Sequence, residues 1–147
     1  NSRRDLDFNP MIFSQGITIS NTTIELLPSH FVFSLDAINI TILKDEEFLL
    51  KVYIKNLSPN DLENITLTYT RDIAKTVNIT PLKIQMIEAG KTKEINLTIK
   101  AQKEGNYEGV IEAKAGKVSA FLPVNITVTK NESLVNYNFI YNNHYTY

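Results

Sequence analysis

A sandwich of two packed β-sheets is the fold this sequence predicts, and three observations predict it. Apolar residues recur at every second position over many short stretches, the period of a half-buried strand. Gly, Pro, Asn and Asp separate those stretches, where they favour turns over ladders. No stretch carries the i, i+3, i+4 apolar stripe of a helix, and eight or nine short strands at this spacing favour a sandwich.

Residues 1–10 are polar and charged without periodicity and are expected to form a flexible arm. In residues 11–19, Met11, Phe13, Ile17 and Ile19 share one parity, interrupted at Gln15 and Gly16, which predicts a weak strand with a bulge at the glycine. Short strands follow at 21–27 and 31–35, separated by a Pro28-Ser29 turn. In 37–43, Ile38, Ile40 and Ile42 point in while Asn39 and Thr41 point out. Residues 47–55 alternate most clearly, with Phe48, Leu50, Val52 and Ile54 inward, and the Pro- and Asn-rich loop 56–61 ends them.

Alternation resumes in 64–70 through Ile65, Leu67 and Tyr69. A shorter strand is expected around Val77 and Ile79, another within 82–87, and a third in 92–101 with Ile95, Leu97 and Ile99 inward. The clearest pattern spans 105–129. Tyr107, Gly109, Ile111 and Ala113 lie on one face, the chain turns at Ala115-Gly116-Lys117, and Val118, Ala120, Leu122, Val124, Ile126 and Val128 continue that face. This is a β-hairpin. Pro123 lacks an N–H and suits an edge or a strand break, which predicts an open edge or groove beside the hairpin. The tail 131–147 is rich in Asn and Tyr and poor in charge, yet Val135, Tyr137, Phe139, Tyr141, Tyr145 and Tyr147 share one parity. It is a strand in want of a sheet, either its own domain's edge or a neighbour's. The expected organisation is an N-terminal arm and donor-strand candidate at 1–20, a sandwich at 21–130, and a C-terminal strand or tail at 131–147.

Composition narrows the function. At 147 residues the chain suits one domain, long enough to bury about 68–70% of its unfolded surface. A net charge of -1 leaves no basic footprint for nucleic acid or an anionic membrane. No run of apolar residues is long enough for a membrane-spanning helix. Cysteine is absent, so there are no disulfides and no thiol chemistry. The first residue is Asn rather than Met, consistent with a removed signal peptide or a trimmed chain.

Asparagine is the anomaly. Sixteen Asn and twenty-two Ser plus Thr would at random give roughly two N-x-S/T sequons, the acceptor pattern for N-glycans. There are eight, at Asn21, Asn39, Asn56, Asn64, Asn78, Asn96, Asn125 and Asn131. Those at Asn39, Asn64, Asn78, Asn96 and Asn125 have the form N-φ-T within strands, the apolar residue inward and Asn and Thr outward. Alternation explains the φ and the Thr. It does not explain Asn, which is depleted in strands because its side chain competes for the backbone. Glycan attachment at an extracellular surface explains it, against a general bias of the proteome toward Asn.

Catalytic and metal-binding patterns are weak. His30 and His144 stand far apart, and neither a Ser-His-Asp set nor a metal-ligand spacing can be assembled. Asp45-Glu46-Glu47 lacks the glycine and terminal Glu of a calcium loop. No enzyme activity, metal or cofactor is expected.

From Phe48 to Val128 the order of features resembles the CARDB-like and fibronectin-like immunoglobulin sandwiches of archaeal and bacterial surface proteins. The residues that carry the resemblance are Val52-Tyr53-Ile54-Lys55-Asn56, Asn64-Ile65-Thr66-Leu67, Ala89-Gly90, Gly105-Asn106-Tyr107 and Leu122-Pro123-Val124. It implies an immunoglobulin-like β-sandwich, here with extended N- and C-terminal arms, acting as a spacer, adhesion or assembly unit. With the arms and sequons, the chain is also similar to archaeal thread-like pilus subunits that interlock by donating a strand. The implied protein is a secreted, glycosylated cell-surface subunit whose partners are copies of itself or an S-layer or envelope protein. A carbohydrate- or S-layer-binding adhesion module, reading its ligand with tail aromatics, is the alternative.

Overall fold

The computed structural model describes residues 31–142. They form ten strands: β1 (Phe31–Phe33), β2 (Leu35–Leu43), β3 (Phe48–Asn56), β4 (Leu62–Tyr69), β5 (Val77–Thr80), β6 (Lys83–Ile87), β7 (Thr92–Ile99), β8 (Gly105–Ala115), β9 (Val118–Thr129) and β10 (Asn136–Tyr141). A one-turn helix α1 (Arg71–Ala74) links β4 to β5, and a 3-10 turn (Glu132–Leu134) links β9 to β10. The strands build a four-stranded sheet, ordered β1-β3-β7-β5, and a six-stranded sheet, ordered β10-β2-β9-β8-β4-β6. The fold is a two-sheet β-sandwich, as the alternation predicts, of the immunoglobulin-like class that the resemblance implies.

Period-2 alternation builds the core. Ile38, Ile40 and Ile42 of β2, Val52 and Ile54 of β3, and Leu122, Val124, Ile126 and Val128 of β9 are all buried between the sheets. Their odd-numbered or even-numbered neighbours carry the polar residues to solvent. The hairpin β8–β9 pairs from Gly105↔Val128 to Ala115↔Val118, leaving a two-residue loop. Gly116 opens that loop with φ 63, a left-handed conformation that glycine adopts without steric cost.

Gly109 has a different reason. A Cβ there would overlap Thr70 Oγ1 and come within 2.9 Å of Ile73 Cγ1, so only glycine lets α1 pack against β8. Alternation does not reveal α1, because one turn with a single buried residue, Ile73, is too short to show a helical period.

The strand expected at 31–35 is divided between the sheets. β1 pairs with β3, whereas β2 runs parallel to β9. Ser34 sits at the switch: its N–H donates to Tyr53 O (2.8 Å), its Oγ accepts from Tyr53 N–H (3.0 Å), and its carbonyl accepts from Asn142 N–H (3.0 Å). One serine thus ties both sheets.

Pro123 stands where pairing changes. On the β4 side, Val110 N–H donates to Thr70 Oγ1 and Val110 O accepts from Thr70 N–H. The Val110↔Pro123 pair is therefore not hydrogen-bonded, and the Pro123 nitrogen faces the β2 side. Pairing of β9 with β2 begins one residue later, at Ile38↔Val124. Upstream of it, β9 has no ladder partner on that side among the described residues; β1 passes alongside, paired with β3.

Candidate functional site: an uncharged sheet edge and the Asn-bearing faces

A sheet ends in strands whose outer N–H and C=O groups are unpaired, and proteins ordinarily protect them by shortness or charge. Three of the four edges here follow that rule. β1 and β5 span three and four residues, and β6 carries Lys83. The fourth does not. β10 spans six residues, Asn-Tyr-Asn-Phe-Ile-Tyr, with no charge, proline or glycine.

β10 pairs antiparallel with β2, from Asn136↔Thr41 to Tyr141↔Leu35, with a register shift between Ile140 and Tyr141. Of the two placements expected for the tail, this is the one within its own domain. Little side-chain burial holds it. Tyr137 and Phe139 turn inward onto Phe48, at ring-centroid distances of 4.7 and 6.2 Å. Tyr137, Ile140 and Tyr141 remain 46%, 50% and 69% exposed. Val135 caps the preceding turn and is half-buried. The other strand-donor candidates, Met11, Phe13, Ile17, Ile19 and Tyr145, lie outside the described residues, as do Tyr147, His30 and His144.

The sequon residues fall into distinct environments. Asn21 lies outside the described residues. Asn39, Asn78 and Asn96 are exposed on the outer faces of β2, β5 and β7. Register places the sequons together: Asn39↔Asn125 and Thr41↔Thr127 in the parallel pair, Asn78↔Thr98 and Thr80↔Asn96 in the antiparallel one. Asn125 is half-buried, and Asn106 Nδ2 donates to both Asn125 Oδ1 (2.9 Å) and Thr127 Oγ1 (3.0 Å).

Asn64 and Asn131 have local structural duties. Asn64 is exposed with φ 57, a left-handed conformation in which Asn is enriched. Asn131 Oδ1 accepts from Ser133 N–H (3.0 Å) and Ser133 Oγ–H (2.7 Å), an Asx turn that opens the 3-10 turn.

Asn56 departs from the expectation that it is a glycan acceptor in an exposed loop. It is fully buried. Its Nδ2 donates to Asn60 O (2.8 Å) and Ile87 O (2.9 Å), and its Oδ1 accepts from Ser58 N–H (2.9 Å). Its backbone also bonds Lys91 and Gly90. Both amide hydrogens are spent, so a glycan on Nδ2 is incompatible with this fold. The spacing N-L-S could not reveal this, because Ile87 and Lys91 approach only after β6 and β7 are in place.

Among the described residues no three His, Asp or Glu side chains converge as a metal site, and no helix is long and apolar enough to cross a membrane.

No protein-family model and no curated protein match this sequence. Solved structures do match in fold. The ASH/PapD-like domain 7 of human CEP192 aligns with TM-score 0.54 at 11% identity, covering 80% of this chain and 99% of that one. A Porphyromonas gingivalis protein of unknown function aligns with TM-score 0.53 at 14% identity, covering 72% and 50%. A CARDB domain from Pyrococcus furiosus aligns more distantly, with TM-score 0.46, 11% identity, and coverage of 69% and 96%. Identities this low show the fold alone, an immunoglobulin-like β-sandwich.

Proposed function

We propose that this chain is a non-catalytic, glycosylated structural subunit of the cell surface that assembles by β-strand addition, with itself or with an envelope protein. The observation that carries the assembly step is β10: a six-residue edge without charge, with three large apolar or aromatic side chains exposed. Strand addition supplies main-chain hydrogen bonds along such an edge and side-chain contacts at alternate positions. The sequons at Asn39, Asn78 and Asn96, outward from both sheets, support a glycosylated extracellular surface. A strand donated by a neighbour comes from residues 11–19 or from the tail.

Deleting residues 1–20 and, separately, 136–147, then examining particles by electron microscopy, tests the assembly. Loss of filaments or oligomers on removing 1–20 identifies the N-terminal arm as the donor; loss on removing 136–147 shows that β10 is required, as accepting edge or as donor; normal assembly by both rules out strand addition. A second reading, an adhesion module for carbohydrate or an S-layer protein, draws on the open ring of Tyr141. Glycan or cell-wall binding that disappears with Tyr141→Ala favours it.

A further inference from the structure

We propose that the cleft between α1 and the β7–β8 turn binds the anionic group of an acidic saccharide. The cleft has a volume of about 600 Å³, with Lys75, Thr76, Lys100, Lys103 and Tyr107 on its walls and no carboxylate among its lining residues. That volume lies within the range of small-molecule sites, about 300–1,000 Å³. Three lysines line the cleft and no carboxylate does; Glu104, next in the chain to Lys103, pairs with Lys130. Ion pairs join Lys44 to Asp45, Lys51 to Glu94 and Lys130 to Glu104, and none of these involves Lys75, Lys100 or Lys103.

Thr76 supplies the independent observation. It is only 6% exposed, and its backbone is satisfied: its N–H donates to Ile73 O (3.0 Å) and its carbonyl accepts from Lys100 N–H (2.9 Å). Its hydroxyl has no hydrogen-bond partner among the described residues. A buried polar group without a partner is destabilising, and an oxygen ligand in the cleft would satisfy it. The Tyr107 hydroxyl donates to Lys103 O (2.7 Å), which fixes the ring as a platform beside the lysines. A cation cluster with a buried hydroxyl fits a carboxylate or sulfate; the aromatic wall and the volume fit the sugar that carries it.

Binding here and assembly through β10 use separate residues, so either can fail without the other. The test titrates the full chain with a tetragalacturonate, a sulfated chondroitin tetrasaccharide, a neutral tetrasaccharide and sodium sulfate, following backbone amide shifts. Expected are shifts at Thr76, Lys100, Lys103 and Tyr107 with an acidic oligosaccharide, weakened by salt and absent with the neutral one. Whether the uronate or the sulfated arm binds more tightly identifies the anionic group. Lys100→Gln and Lys103→Gln, both at exposed positions, each weaken binding about tenfold, the loss of one charge-assisted hydrogen bond. Thr76→Val weakens it while leaving the melting temperature unchanged or raised. Unmoved amides at these four residues, binding indifferent to the Lys variants, or sulfate alone binding as tightly as either oligosaccharide would overturn the proposal.

Discussion

Replacing Asn56 by Asp keeps the size of the side chain and removes both of its donors. The carbonyls of Asn60 and Ile87 then face a carboxylate in a buried site. We expect Asn56→Asp to lower stability by about 3 kcal/mol in urea unfolding, from two unsatisfied carbonyls and a buried charge. A loss below roughly 0.5 kcal/mol would show that the loop 56–61 holds without it. Gly109→Ala is expected to cost about 1–3 kcal/mol, because the added methyl meets Thr70 and Ile73 and α1 must shift. Asn64 gives a contrast that burial does not supply. At φ 57, Asn64→Gly should be nearly neutral, whereas Asn64→Val should cost about 1–2 kcal/mol. The pattern N-I-T shows Asn64 as an outward residue and nothing more; its backbone conformation is set by the path of β4 beside β6.

At the scale of the element, β10 joins a strong backbone ladder to weak side-chain anchorage. Phe48 meets it from the opposite sheet, against the Tyr137 and Phe139 rings. Phe48→Ala should therefore release β10 selectively: its amides exchange faster while those of β8 and β9 stay protected. Equal acceleration everywhere would mean that Phe48 supports the whole core instead. Ile140 pairs with Ala37 on the outer face, away from Phe48. Ile140→Lys places a charge on an unprotected edge. Sedimentation velocity should show less self-association than the parent, with stability within about 0.5 kcal/mol of it. Alternation in the sequence marked this strand correctly as one-sided, with Tyr137 and Phe139 on the same face. It could not say which strand accepts it, since β2 lies nearly a hundred residues upstream.

For the whole molecule, glycosylation is the property that separates a surface subunit from an ordinary sandwich. Protein from its native source should lose mass on deglycosylation, and peptide mapping should place sugar on exposed residues such as Asn39, Asn78 or Asn96. The Asn56 peptide should be unmodified in the same sample. An intact mass equal to that of the bare chain removes the glycoprotein proposal, and a glycan on Asn56 contradicts the fold.

By itself the sequence determined which residues face inward, because alternation is a local property of an extended chain. Ile38, Ile40 and Ile42, and Leu122, Val124, Ile126 and Val128, were legible in this way. So was the Gly116 turn, since a two-residue loop needs a residue that accepts positive φ. Only the tertiary structure decided which strands are neighbours. Placing β2 parallel to β9, β10 outside β2, and Lys75 beside Lys103 depends on contacts between segments far apart in the chain. The same holds for Asn56, whose partners arrive from another loop and another strand. A sequon reads alike in exposed and buried settings, and only packing determines which Asn keeps a free amide.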